Sequence, residues 1–276
     1  MVFHKSIIYF LSLIAILVWL AVYSVDTNLQ IIACDVGQGD AILIQKNTTQ
    51  ILIDGGPNQS VLNCLGRHIP FWDKQIELVI LTHPQEDHYG GLIDVFKTYK
   101  ILSFGESNTT SSNQGYGVLK NLVGGSGAMP IPMQQGTTIR VGMMQLDTVW
   151  PKPNSEATNV NDDGVVTILK YAQFEALFTA DVENEVSDIL SEYPEIQNLN
   201  YIKVNHHGSR NGMSQKLLNA VNPEVAVISS GERNNYGHPH AEILKMLEEK
   251  SIKVLRTDEV GDVVIKTDGI NFWAKK

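Results

Sequence analysis

Leu78-Val79-Ile80-Leu81-Thr82-His83-Pro84-Gln85-Glu86-Asp87-His88 runs from an apolar strand pattern, predicted over Glu77–Leu81, straight into a cluster of imidazole and carboxylate side chains. A strand that ends in a tight loop holds its last side chains on a rigid edge. Gly90-Gly91 then lets the backbone turn into the next helix. Spaced this way, His83, Gln85, Asp87 and His88 can converge on one point, and imidazole with carboxylate suits Zn²⁺, Mn²⁺ or Fe. The plainer reading is a solvated polar loop, but such loops seldom hold two histidines and an aspartate at this spacing.

Working outward, other apolar runs also end on polar groups. Ile51-Leu52-Ile53-Asp54-Gly55-Gly56 lies upstream. Leu177-Phe178-Thr179-Ala180-Asp181 and Val204-Asn205-His206-His207-Gly208-Ser209 lie downstream. Asp181 has a plainer alternative as the N-cap of the following helix. Tyr236-Gly237-His238-Pro239-His240 follows a further strand, Val225–Ser229, and is either a polar turn or a pocket wall. Short β-rich runs at Leu29–Cys34, Asp40–Gln45 and Gln50–Ile53 precede a helix at Val61–His68. Gly91–Tyr99 reads as helix, Ile101–Phe104 as strand and Asn108–Ser126 as a mobile loop. Thr137–Val149 and Val165–Thr179 supply further strands, the latter pair turning around Gln173. Helices at Glu183–Glu192, Ser214–Val221 and Ala241–Lys250 and strands at Lys253–Arg256, Asp262–Lys266 and Ile270–Ala274 complete the chain. Strands followed by helices, twice over, predict an α/β domain over 29–276: two sheets face to face with helices outside.

The 276 residues are 43% hydrophobic and 18% charged, enough for a sizeable core. A net charge of −9 argues against a broad basic surface for gripping phosphates, though a locally basic cleft stays compatible with it. Cys34 and Cys64 form no CxxC pair and sit in apolar or helical patterns, where buried free thiols are expected rather than a disulfide. Ser6–Tyr23 is apolar throughout and about long enough to span a bilayer. With Lys5 before it and Asp26 after it, residues 1–24 are expected to be a transmembrane anchor or a signal peptide, with Val22-Tyr23-Ser24 as the cleavage alternative. The rest of the chain is then placed outside the cytoplasm, held at the cell membrane or secreted.

The ligand loop resembles the HxHxDH signature of the metallo-β-lactamase superfamily, with Gln85 in place of the second histidine. The resemblance implies an αβ/βα four-layer sandwich of two mixed sheets. It makes Asp54 the support of the ligand loop, Asp181 the metal-bridging acid and His207 the final ligand, with His206 facing substrate. Asp35-Val36-Gly37-Gln38-Gly39-Asp40-Ala41, the HPxxDHxGG form of the loop, VxHHGS, Tyr236–His240 and Arg256–Gly261 occur together in order. Together they resemble the hydrolase domain of ComEC/Rec2-type DNA-uptake proteins, over about Leu29 to Thr267. Two departures stand out. One apolar segment stands where those proteins have a multi-helix channel, and no histidine lies between His88 and His206, where Asn161, Asp162 and Asp163 fall instead.

The chemistry so implied is water activation by a divalent metal, Zn or Mn, as one or two ions. Asp87, His88, Asp181 and His207 would form the strong position, and His83 with Gln85 or Asp162 a weaker one. Asp87 is the chief catalytic residue, with His206 or His238 protonating the leaving alkoxide. Ser209, Asn211 and His240 would bind phosphate, and Asp40 and Asp54 would stand behind the ligands. The implied partners are a phosphodiester such as DNA, the membrane and a DNA-uptake channel protein. The alternatives are another phosphoester, such as a cell-wall component, or a binding module without catalysis. A β-lactamase reading is weak because the complete zinc triad is absent.

Overall fold

Strands buried on both faces read as unbroken apolar runs, because successive side chains point to opposite sides. Ile31-Ile32-Ala33, Ile42-Leu43-Ile44 and Ile51-Leu52-Ile53 are such runs. In the computed structural model, which describes residues 2–23, 26–155 and 159–274, they divide by that rule. Ile31, Ile42, Ile44, Ile51 and Ile53 face a central core, whereas Ile32, Leu43 and Leu52 face an outer one.

The strands are β1 (Leu29–Ala33), β2 (Ile42–Lys46), β3 (Thr49–Ile53), β4 (Gln75–Leu81), β5 (Lys100–Glu106), β6 (Met129–Pro132), β7 (Thr138–Val141) and β8 (Met144–Trp150). They continue as β9 (Val166–Tyr171), β10 (Phe174–Phe178), β11 (Tyr201–Lys203), β12 (Val225–Ile228), β13 (Lys253–Arg256), β14 (Val263–Thr267) and β15 (Phe272–Ala274). One sheet is ordered β15-β14-β1-β2-β3-β4-β5-β6 and the other β13-β12-β11-β10-β9-β8-β7. The N-terminal helix is α1 (Val2–Tyr23). The helices α2 (Ser60–His68), α3 (Glu86–Tyr89), α4 (Leu92–Thr98) and α5 (Gln114–Ser126) cover the outer face of the first sheet. The helices α6 (Asn184–Leu190), α7 (Gln215–Val221) and α8 (Ala241–Glu249) cover the second, and the short α9 (Thr257–Val260) follows β13. The result is the expected four-layer sandwich.

β3 to β6 run parallel, as do β10 to β13. Their carboxyl ends, where parallel sheets hold ligands, meet at one edge of the sandwich. There the Val165 N–H reaches across to the Thr82 carbonyl at 3.0 Å.

Three expectations are corrected. Much of the loop expected over Asn108–Ser126 is the helix α5. Asn113 caps it by accepting the Gly115 N–H, and Tyr116 and Leu119 bury against the first sheet. Two apolar anchors are too few to show as periodicity, so packing decides the conformation. Cys34 and Cys64 are not free thiols but a disulfide. Cys34 follows β1, Cys64 lies on α2, and both face the same outer core with their Cα atoms 5.8 Å apart, within bridging reach. Asp181 is no helix cap, since α6 begins at Asn184 with Glu183 before it. On α1 the described side chains are Ile7 to Ile16 and Trp19, all exposed. Among the described residues no helix is long and apolar enough to cross a membrane. Ser24 of the cleavage alternative lies outside them.

Candidate metal centre

The clustered ligands and Asp54 stand just past the carboxyl ends of strands. Asp54 follows β3, His83 to His88 follow β4, Asp181 follows β10 and the histidine pair follows β11. At β11 the backbone is forced into an unusual path. His206 and His207 take φ of 47° and 53°, left-handed values that non-glycine residues adopt only where the surroundings impose them. The constraint is visible: the buried Asn205 side chain donates to the Val182 carbonyl at 3.2 Å and to the Ser187 hydroxyl at 3.1 Å. The twist aims His207 inward and leaves His206 at the rim.

Inside, the Nε2 atoms of His88 and His207 lie 3.3 Å and 3.2 Å from the same Asp181 oxygen. Asp87 stands 3.5 Å from His207 Nε2. Ligand atoms of Asp87, His88, Asp181 and His207 all fall within 4.8 Å of one another. Both Nε2 atoms and Asp181 Oδ1 are buried without a hydrogen-bond partner, which buried polar groups seldom tolerate. Two imidazole nitrogens and two carboxylates aimed at one point are a fitting donor set for a divalent cation.

The far nitrogens are held from behind. His88 Nδ1 meets Asp54 Oδ2 at 2.8 Å, and His207 Nδ1 meets the Ser229 carbonyl at 3.0 Å with Asp40 Oδ1 at 3.5 Å. Asp40 is itself paired with Lys203, and both are buried. Burial works against charge on His88 and His207. Asp181 and the neighbouring carboxylates nonetheless outweigh it and hold both imidazoles well above their ordinary pKa. Asp181 is correspondingly held well below the carboxylate range by the two histidines against its burial. Asp87, by the same His88 and His207, sits at about 2 although burial pushes it up. Such mutual strengthening is what a bound cation would inherit.

His83 and Gln85 stand apart from this set. Burial and the His88 ring, 4.1 Å away between centroids, press His83 down to about 3, so it is neutral at pH 7, and its Nε2 has no partner. Gln85 donates to Asn161 Oδ1 at 2.6 Å. Asp162 accepts the Glu183 N–H at 2.9 Å. Gln85 and Asp162 are thus each engaged by a residue outside the weaker position, and neither bonds His83.

Beside the cluster lies a group of imidazoles. His206 is partly exposed, with ring centroid 5.6 Å from His238, which stands 5.0 Å from His240 and stacks on Tyr236 at 5.6 Å. Burial, then the neighbouring rings, lowers His238 to about 4, and burial also lowers His206. Both are neutral at pH 7 and suit N–H donation to an oxyanion better than service as imidazolium acids. His240 Nδ1 accepts the Arg210 N–H at 3.2 Å. Ser209 is buried, with its oxygen 3.4 Å from the Asn211 N–H, while Asn211 is exposed. The structure therefore gathers Asp87, His88, Asp181 and His207, backs them with Asp54 and Asp40, and sets His206, His238 and His240 alongside. It does not bring Gln85, Ser209 or Asn211 into the cluster. Lys203 and Gln38, which reaches His238 Nδ1 at 3.5 Å, are site neighbours that the sequence did not single out. A lysine inside the apolar run Tyr201–Val204 is the one signal that pointed to a buried partner.

Residues 34–232 match the metallo-beta-lactamase superfamily. ComE operon protein 3 of Bacillus subtilis is 27% identical over 83% of this chain and 32% of its own length. Recombination protein 2 of Haemophilus influenzae is 28% identical over 85% of this chain and 28% of its own. The chain thus spans about a third of the length of these relatives. Among solved structures, the metallo-beta-lactamase fold protein YhfI of Bacillus subtilis superposes with a TM-score of 0.57 at 12% identity, over 87% of this chain and all of that one. The fold, the family match across most of the chain and the donor set agree: this chain belongs to the metallo-beta-lactamase superfamily.

Proposed function

We propose that the chain is a metal-dependent phosphodiesterase that hydrolyses a nucleic-acid phosphodiester outside the cytoplasm. One observation carries the reading. The unpartnered Nε2 atoms of His88 and His207 and the carboxylates of Asp87 and Asp181 share one point, beside neutral imidazoles that open toward solvent. A divalent cation, Zn or Mn, held by those four residues would lower the pKa of water to about 7 and so supply a nucleophile at neutral pH. Asp87, the most exposed of the four, stands where it can orient that water and accept its proton. His206 and His238 would donate N–H bonds to the phosphate oxygens and steady the leaving oxygen, with His240 at the outer edge. The sequence resemblance to DNA-uptake proteins and a relative named for recombination support a nucleic-acid substrate. A DNA-uptake channel protein is the matching partner.

Export belongs to the same proposal. The Cys34–Cys64 disulfide suits an oxidising compartment, and the exposed apolar side chains of α1 suit attachment to a membrane.

The test is to incubate the purified chain with single-stranded DNA, a chromogenic phosphodiester and a phosphorylated cell-wall fragment, each with Mn²⁺, Zn²⁺ or chelator. Cleavage of the first two is expected with metal only. Asp87→Ala should lower it by about a thousandfold or more, as loss of a group central to the chemistry does. Turnover of the cell-wall fragment alone would move the substrate to another phosphoester. Cleavage that persists in Asp87→Ala would show that the chemistry lies elsewhere.

A further inference from the structure

The metal centre takes up one end of the sandwich, and the opposite end carries an unexplained set of exposed apolar side chains. β1 is antiparallel to β2 and β2 to β3, while β3 is parallel to β4, so β1, β3 and β4 all begin at this far end. The chain arrives here from α1. Lys46 bonds the Thr27 carbonyl and Lys266 pairs with Asp26, tying the arriving segment to the sandwich.

The loop leading into β4 holds Phe71, 85% exposed, and Trp72, 48% exposed. It lies three strands from β1, about 14 Å along the sheet. Met143, 72% exposed, tips the turn between β7 and β8 at the same end, since a Cβ on Gly142 would lie 3.7 Å from Thr49 at the start of β3. Ile270, 67% exposed, follows Gly269 in the β14–β15 turn, which bonds to Gln173 at the β9–β10 turn. Lys74 and Lys100 flank the aromatic pair, joined by a backbone bond of 2.8 Å. Asp73, next to them, is engaged by Gln50 at 3.1 Å. Aromatic tips with lysines beside them are the composition of a membrane–water interface.

We propose that this end is a membrane-facing base, in which Phe71 and Trp72, with Met143 and Ile270, enter the headgroup layer of an anionic bilayer. The proposal rests on reading α1 as the membrane attachment and adds an orientation to it. The argument for lipid as the occupant is the chain path, because the segment that follows α1 is fastened to this end and not to the catalytic one. β4 is seven residues long, so the metal centre stands roughly 25 Å from the lipid and opens away from it. The substrate then arrives from the aqueous side.

The full chain reconstituted into phosphatidylcholine–phosphatidylglycerol vesicles, with and without brominated acyl chains, tests this by tryptophan quenching. Of the four tryptophans Trp150 is buried, while Trp19 and Trp273 are exposed along with Trp72, so Trp72→Phe should remove roughly a third of the quenching, and Phe71→Trp should increase it. Alkaline carbonate extraction run in parallel reads attachment separately. Retention in the membrane with quenching unmoved by both variants overturns the base and leaves the α1 reading intact. Release by carbonate overturns both. Self-association of detergent-solubilised chain that Trp72→Phe abolishes, with quenching unmoved, would assign the face to a second copy and also overturn the proposal. Neither variant touches the metal centre, so unchanged phosphodiesterase activity serves as the folding control.

Discussion

Asp54 is bonded through both carboxylate oxygens. Oδ1 accepts the Thr82 N–H at 2.8 Å, and Oδ2 takes the Thr82 hydroxyl at 2.7 Å and His88 Nδ1 at 2.8 Å. When a cation replaces the proton on Nε2, this bond would keep the remaining proton of His88 on Nδ1 and turn the Nε2 lone pair toward the other ligands. Asp54→Asn keeps the shape, and Asn tolerates the left-handed φ of 59° found here. It removes the charge behind the imidazole. Metal affinity, read by competition with a chromogenic chelator, should fall about 10- to 100-fold while the fold is retained. Unchanged affinity would reduce Asp54 to a brace for Thr82. At this scale the sequence was informative for residues that end apolar strands, because strand ends are easily seen. Lys203 and Gln38 were missed because their partners, Asp40 and His238, lie far away in the chain.

The ligand loop depends on a second loop that contributes none of the four clustered ligands. Gly39, at φ 134°, packs so closely on the start of α3 that a Cβ would meet the Asp87 carbonyl oxygen at 2.2 Å, and the neighbouring Asp40 N–H bonds that same oxygen at 3.2 Å. Only glycine fits the conformation and the contact together. Gly39→Ala must push Asp87 outward. The expected result is a loss of about 1–3 kcal/mol in stability together with weakened metal binding, measured by chemical denaturation with and without Mn²⁺. A variant as stable as the parent, with full metal affinity, would show that the loop yields easily. Reading Gly37-Gln38-Gly39 as a turn was possible from composition alone. That the turn braces Asp87 follows only from how the loop between β1 and β2 meets the loop after β4, with β3 between them in the sheet.

Across the whole molecule, the two ends of the first sheet's chain are joined at Asp262. Its carboxylate accepts the Asp35 N–H at 2.9 Å, meets His68 at 2.9 Å and pairs with Arg67 at 2.7 Å. Burial raises its pKa, but the His68 bond, the Asp35 N–H and Arg67 together hold it at about 2. Unfolded, an aspartate titrates near 3.9, so the folded state binds the proton less readily. The stabilisation is whole above about pH 4 and is lost as pH falls toward 2. Asp262→Asn should therefore lower the denaturation midpoint at pH 7, and the gap from the parent should narrow steadily below pH 4. A gap that does not change with pH would mean the loss is one of packing alone. α5 and the disulfide belong to this scale too, since each arises where segments distant in sequence cover one face of a sheet.

The layers and the ligand types are legible in the order of residues alone. Apolar runs long enough to bury both faces require sheets covered on each side, and acids and imidazoles placed at their ends need no distant information to be seen. Tertiary structure decided which of them work together. It drew His207 inward and left His206 at the rim through a left-handed turn that Asn205 holds. It bound Gln85 to Asn161, away from the cluster that Thr82-His83-Pro84-Gln85-Glu86-Asp87-His88 otherwise feeds. The reason is that side-chain type is local, whereas direction and partnership depend on the packing of strands far apart in the chain.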